Sequence, residues 1–302
     1  MVGASLTLSQ RLATYCALWA LIAAAVSVIW MVKRRAPHFA KNKIGLLFAA
    51  RHDPELRQEL SNLHDRVIDE IAQKDLGGMM KVQTSPPNHN IRSHQEALKM
   101  LTITGGRVLI WGSFEKATRS GKELRGFSTI SFTCNTLPLE VVDKAEILAD
   151  SLVGRRWGWE IDNSVDKSVV AANLAEVARY VVGLSLLGER RYSEAQPILA
   201  LLHLEMRSKY GSKRVPAPVA RFQETLKRAY IISLVEEVGQ LYHNEVYEER
   251  LFSVDSRTLS QWERKIRDAI GLDEHIPKAR LLLAIIEFLK GDIEASRRLL
   301  CE

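Results

Sequence analysis

The sequence predicts an α+β multidomain chain: an N-terminal transmembrane helix, a small β-α-β-α-β-β sheet domain, and a C-terminal all-α region of helical hairpins. Three observations lead there. Leu12 to Val32 is a run of 21 residues without a charged side chain. Residues 44–135 alternate strand-length apolar runs with stretches of helical periodicity, and from Ser168 onward the periodicity is helical throughout. The implied divisions are a tail 1–11, the span 12–32, a basic juxtamembrane segment 33–43, the α/β domain 44–135, a connector 136–167 and the helical domain 168–302. A chain of 302 residues with 46% hydrophobic residues, 17 Gly and 9 Pro is ordered and mostly helical.

The apolar run, as a helix rising about 1.5 Å per residue, would span ~31 Å, the thickness of a hydrocarbon core. A buried core helix would show a polar face over six turns, and this run shows none. A cleaved signal peptide would carry its bases in front and end at small residues; Ala23-Ala24-Ala25 offers such a site, yet Val26 to Val32 continues the run beyond it. Arg11 alone precedes the span, whereas Lys33, Arg34, Arg35, Lys41 and Lys43 follow it. The positive-inside rule therefore puts the bulk of the chain in the cytoplasm, single-pass in the plasma (inner) membrane with the N-terminus out and the lipid bilayer as a partner. Six of the 42 Lys and Arg fall within residues 1–43, which hold no acid, so the other 36 bases balance the 36 acids. With a neutral body, the overall basic charge is no evidence for the phosphate-gripping surface of a nucleic-acid binder, and no nucleic-acid partner is expected. Cys16, Cys134 and Cys301 show no disulfide or zinc spacing.

In the α/β domain, Ile44 to Ala50 reads as a doubly buried strand. Asp53-Pro54 announces a helix, with Asp as cap and Pro at the first helical position, and Leu56, Leu60, Leu63, Val67, Ile68 and Ile71 recur on one face. Met79 to Thr84 is a second strand. Ser93 to Glu96 has capping-box spacing ahead of Ala97, Leu98 and Leu101. Gly105-Gly106 ends that helix, Arg107 to Phe114 is a buried strand, and a turn around Arg119 to Lys122 leads to a last strand through Phe127, Ile130 and Phe132. The order, with Gly105 to Gly112 reading GGRVLIWG, resembles the N-terminal α/β domain of TolB-type proteins, where a helix leads into a strand of the form Gly-Ala-(apolar)-Gly. That resemblance implies a non-enzymatic interaction module. TolB itself is periplasmic, so a shared fold is implied and not a shared job.

In the helical region, Arg179 to Leu184 with Gly188, Tyr192 and Ala195 shares a plan with Leu281 to Ala284 followed by Gly291, Ile293 and Ala295. In each, a helix with a small residue on one face turns at a Gly-centred loop into a helix bearing Ala, since small residues let antiparallel helices approach. These stretches resemble tetratricopeptide repeats: Gly183, Tyr192, Ala195 and the packing residue Leu199 match the first, and Ala284, Gly291 and Ala295 the second. Val219 to Val246 and Ser260 to Ile270 read as further helices. An ordinary helical bundle is the competing architecture; a solenoid would present a concave groove to a partner protein.

Catalytic patterns are scarce. No stretch supplies a P-loop, and Gly105-Gly106 opens a strand, the wrong context for a dinucleotide fingerprint. His64, His89 and His94 could meet a metal but read as separate surface histidines, and Ser113 lacks the second flanking Gly of a nucleophile elbow. Arg155-Arg156-Trp157-Gly158-Trp159 could stack on bases, but reads better as a packing anchor. No catalytic, cofactor-binding or metal residue is assigned and no cofactor is expected. The leading expectation is a membrane-anchored adaptor or sensor subunit that binds a partner protein through tetratricopeptide-like helices. The alternative is a small-ligand or nucleotide receptor, or an enzyme, using the crevice of the α/β domain.

Overall fold

Ile44 to His52 forms β1, and its first five residues are buried because strands pair on both sides of it and helices cover both faces. The computed structural model describes Trp19 and residues 21–24, 26–27, 38–40, 43–74, 78–85, 91–119, 122–137, 159–160, 164–211, 215, 217–248 and 254–301. A 3-10 turn, Pro54–Leu56, leads from β1 into α1 (Arg57–Gln73), whose Leu60, Leu63, Val67 and Ile71 are buried at helical spacing. Asp53 stands at the cap as the sequence suggests, but its side chain makes no capping bond; its carbonyl accepts from the Leu56 N–H at 2.9 Å instead. β2 (Met80–Thr84) follows, then α2 (His94–Thr104). Ser93 Oγ accepts the Glu96 N–H at 3.3 Å, and the Glu96 carboxylate accepts from the Arg92 N–H at 2.7 Å, one residue before the cap. β3 (Val108–Arg119) and β4 (Lys122–Cys134) make a long antiparallel hairpin with a register shift between Ser113 and Phe114.

The sheet order is β2-β1-β3-β4-β5, with β1 parallel to β2 and β3, and β5 (Trp159–Glu160) a short antiparallel addition at the β4 edge. Alternation along the strands separates two faces. Leu47 and Leu109 pack under Ala97, Met100 and Leu101 of α2. Ile44, Leu46, Phe48, Val108 and Ile110 face α1 and the helices that follow. Those helices are α3 (Ser164–Gly188), α4 (Tyr192–Tyr210) and α5 (Ala217–Tyr242), continued by a π-helical segment, His243–Glu248. One hydrophobic cluster runs from the sheet through α1 to Leu174, Val181, Leu199 and Phe222. Thr136 after β4 meets the buried Ser185 hydroxyl at 2.7 Å, so the junction of sheet and helices is polar-locked as well as greasy.

Beyond it, α6 (Ser256–Leu272), α7 (Pro277–Leu289) and α8 (Ile293–Cys301) pack with the C-terminal half of α5 around a second cluster of Leu234, Val238, Trp262, Ile266, Leu283 and Ile286. α6 starts four residues before the sequence suggests because Asp255 accepts the Arg257 and Thr258 N–H groups at 2.9 and 3.0 Å.

The expected transmembrane helix is corrected. Among the described residues no helix is long and apolar enough to cross a membrane. The two longest described helices, α3 with 25 residues and α5 with 26, are interrupted by charge, Glu176 and Arg179 in the first and Glu224, Lys227, Arg228, Glu236 and Glu237 among those in the second. Of Leu12 to Val32, only Trp19, Leu21 to Ala24, Val26 and Ser27 are described, as helical and exposed, and the rest lies outside the described residues. The fold class is thus a mostly helical chain with a small mixed sheet. The single-pass, inner-membrane, cytoplasm-facing assignment built on the span falls with it.

Candidate partner-binding groove

A glycine draws the α3–α4 hairpin tight. A Cβ on Gly183 would stand 2.6 Å from Leu199 Cδ2, so any larger residue would push the helices apart. Ala195 and Leu199 are fully buried beneath it. The hairpin turns through Glu189-Arg190-Arg191, where the Arg190 N–H donates to the Leu187 carbonyl at 3.0 Å and the Arg191 N–H to the Leu186 carbonyl at 2.9 Å. These are the paired bonds of a Schellman cap, which requires a left-handed residue at its centre. Arg190 supplies it at φ 59°, the one non-glycine residue with positive φ among those described.

The α7–α8 hairpin closes with the same two bonds. Gly291 N–H donates to Phe288 O and Asp292 N–H to Glu287 O, both at 2.9 Å, with Gly291 at φ 87°. One hairpin therefore uses glycine where the other uses arginine.

An ion chain holds the arginine turn. Arg107, just before β3, pairs with Glu189, Glu189 approaches Arg191 at 3.4 Å, and Arg191 Nε donates to Glu194 at 2.6 Å. Burial pulls the Glu189 carboxyl up, but the Arg107 and Arg191 guanidiniums outweigh it and hold the group below the usual carboxylate range. The Glu194 hydrogen bond raises Arg191 in turn. Those four charges neutralise one another. Arg190 is exposed and has no ion-pair partner among the described residues.

Between this turn, the C-terminal end of α5 and α7 lies an open groove of about 670 Å³. Leu281 and Leu282 of α7 and Gly239 of α5 give it an apolar side, with Leu281 50% exposed. Glu236 and Lys278 join across it at 2.6 Å. Arg190 and Tyr192 form its rim from the hairpin turn, and His243 enters from the π-helical segment, a local distortion that recurs at functional sites.

A smaller cavity of about 430 Å³ lies beside the buried His203, with Arg207 and Lys227 around it. Burial lowers the His203 pKa, and the two cations lower it further. At the carboxyl ends of the parallel strands, Arg51 Nη2 donates to Ser113 Oγ at 2.7 Å and Lys116 pairs with Glu55, so protein groups bridge the crevice there.

The histidines do not converge. His64 on α1 packs edge-on to Phe48 at 4.1 Å, pushed down to about 4 mainly by burial and then by His52, while His94 contacts Thr133 Oγ1 at 3.0 Å under the opposite face, where Trp111 Nε1 also donates to that hydroxyl at 2.9 Å. His89 lies outside the described residues, and among those described no group of three His, Cys, Asp or Glu could hold a metal. Of the basic segment, Lys33, Arg34, Arg35 and Lys41 lie outside the described residues, and Lys43 Nζ donates to the Gly78 carbonyl. Arg155, Arg156 and Trp157 also lie outside them, and Trp159 is placed only as part of β5.

Of the residues singled out for helix packing, Gly183, Ala195 and Leu199 meet in the first hairpin, Tyr192 reaches the groove, Ala284 is buried, Gly291 forms the turn and Ala295 is half-buried. Sequence reasoning missed Arg190, Glu236, Lys278 and Leu281 as groove residues. The signal for Arg190 was its place at the hairpin turn, where the second hairpin has Gly291.

No known protein family, curated protein or solved structure matches this chain.

Proposed function

We propose that the chain is a protein-interaction subunit whose tetratricopeptide-like hairpins hold a segment of a partner protein in the groove between the α3–α4 turn, α5 and α7. The observation that carries this reading is the groove itself: an open concavity of about 670 Å³ with a half-exposed leucine on its apolar side. Exposed apolar side chains inside a concave, polar-rimmed surface are what a helix-in-groove contact uses. The sheet supports the reading indirectly, because its core is continuous with the first hairpin and fixes one wall of the groove.

The test compares two leucines of similar exposure, Leu281 in the groove and Leu204 on α4 outside it. In the full chain, Leu281→Asp is expected to release a co-purifying partner with the melting temperature unchanged, while Leu204→Asp retains it. Loss with Leu204→Asp and retention with Leu281→Asp would place the contact elsewhere.

A further inference from the structure

Three features of the groove bear on what kind of segment enters it. Arg190 occupies a left-handed conformation that crowds the Cβ of a non-glycine residue, at a turn where the equivalent hairpin uses Gly291. Such an outlier persists only where its surroundings over-determine it, and it points to a role for the side chain it displays. Here the Arg107–Glu189–Arg191–Glu194 chain pins the turn.

Charge is the second feature. Glu236 and Lys278 satisfy each other, and the turn's other charges are paired, so the guanidinium of Arg190 leaves the groove with a net positive rim.

The third feature argues against an occupant from the start of the same chain: residues 1–43 hold six bases and no acid. We infer that the groove takes an acidic amphipathic helix of a partner protein, its apolar stripe against Leu281 and Leu282 and a carboxylate paired to Arg190. Bidentate guanidinium–carboxylate geometry gives such a contact direction as well as strength. The inference rests on the groove reading above.

The probes are two fluorescein-labelled model helices of about 18 residues, roughly five turns, sharing one leucine stripe and flanked by Glu in one and Lys in the other. Against the full chain at low salt, the Glu helix is expected to bind about tenfold more tightly, with the preference shrinking as salt rises. Arg190→Gly is expected to erase that preference while leaving the melting temperature unchanged or slightly higher, and Arg190→Lys to keep part of it. Equal binding of both helices, abolished by Leu281→Asp, would overturn the acidic partner and leave the groove standing. A preference that survives Arg190→Gly would overturn the role of Arg190. Binding of neither helix would overturn both readings, and a self-associated chain dissolved by Arg190→Gly would make a second copy the occupant and overturn a foreign partner.

Discussion

The inner hairpin, α3–α4, and the outer hairpin, α7–α8, end their first helices with the same pair of backbone bonds but differ in nearly everything that surrounds them. The inner one shares its core with the sheet, buries Arg179 at 1% exposure, and carries a strained arginine at its turn. The outer one packs in a separate cluster, uses a relaxed glycine, and leaves Leu281, Phe288, Ile293 and Leu300 half or more exposed. A rigid platform can carry local strain and buried charge because its neighbours fix both. The outer hairpin also buries a charge, Glu287, held by Arg267 and Lys290, but it carries no strained residue and leaves more of its apolar surface exposed.

The largest contrast is expected at the buried guanidiniums. Arg179 binds Glu205 through two bonds of 3.2 and 2.6 Å, with Lys74 at 3.5 Å from the same carboxylate. Arg179→Ala should cost about 3 kcal/mol in chemical denaturation, since it strands a partly buried carboxylate and opens the α1–α3–α4 junction. Arg267→Ala in the outer group, where the guanidinium is 58% exposed, should cost under about 1 kcal/mol despite its bonds to Glu263 and Glu287. Equal costs would erase the distinction between platform and periphery.

Acid should loosen the platform next. His64 is held neutral, with its pKa at about 4 against 6.5 in the unfolded chain. A depressed histidine contributes stability that is fully present above pH 6.5 and is lost as pH falls from 6.5 toward 4, to a total of roughly 3 kcal/mol. His64→Phe should flatten that segment of the stability–pH curve; an unchanged slope would show that His64 titrates normally.

At the turns, effects are smaller and opposite in sign. Gly291→Ala forces a Cβ into φ 87° and should destabilise by about 1 kcal/mol, although nothing lies within 4 Å of that Cβ. Arg190→Gly relieves its strain but adds unfolded-state freedom, so a gain of a few tenths to about 1 kcal/mol is expected. A loss on Arg190→Gly would mean that the side chain supports the fold.

Local elements were more legible than their assembly. Ser93 and Glu96 announce α2 because both capping side chains find their backbone N–H groups within a few residues, and β1 is readable because a strand buried on both faces needs an unbroken apolar run. β5 was invisible: two residues paired to Leu124 and Arg125 leave no periodicity to read. The apolar run at 12–32 set an expectation of a spanning helix that the described helices do not meet. The groove was illegible for a related reason. Arg190, Glu236 and Leu281 belong to three elements, and only α5, which contributes to both hydrophobic clusters, brings them together.

The most direct test replaces Leu281 and, separately, Leu204 with a photo-crosslinking phenylalanine in the full chain and irradiates in the cells that make it. Residue 281 should trap one discrete protein and residue 204 none, and adding Arg190→Gly to the first variant should reduce the yield severalfold. Capture of that same protein from 204 alone, or a yield at 281 indifferent to Arg190→Gly, would contradict the account.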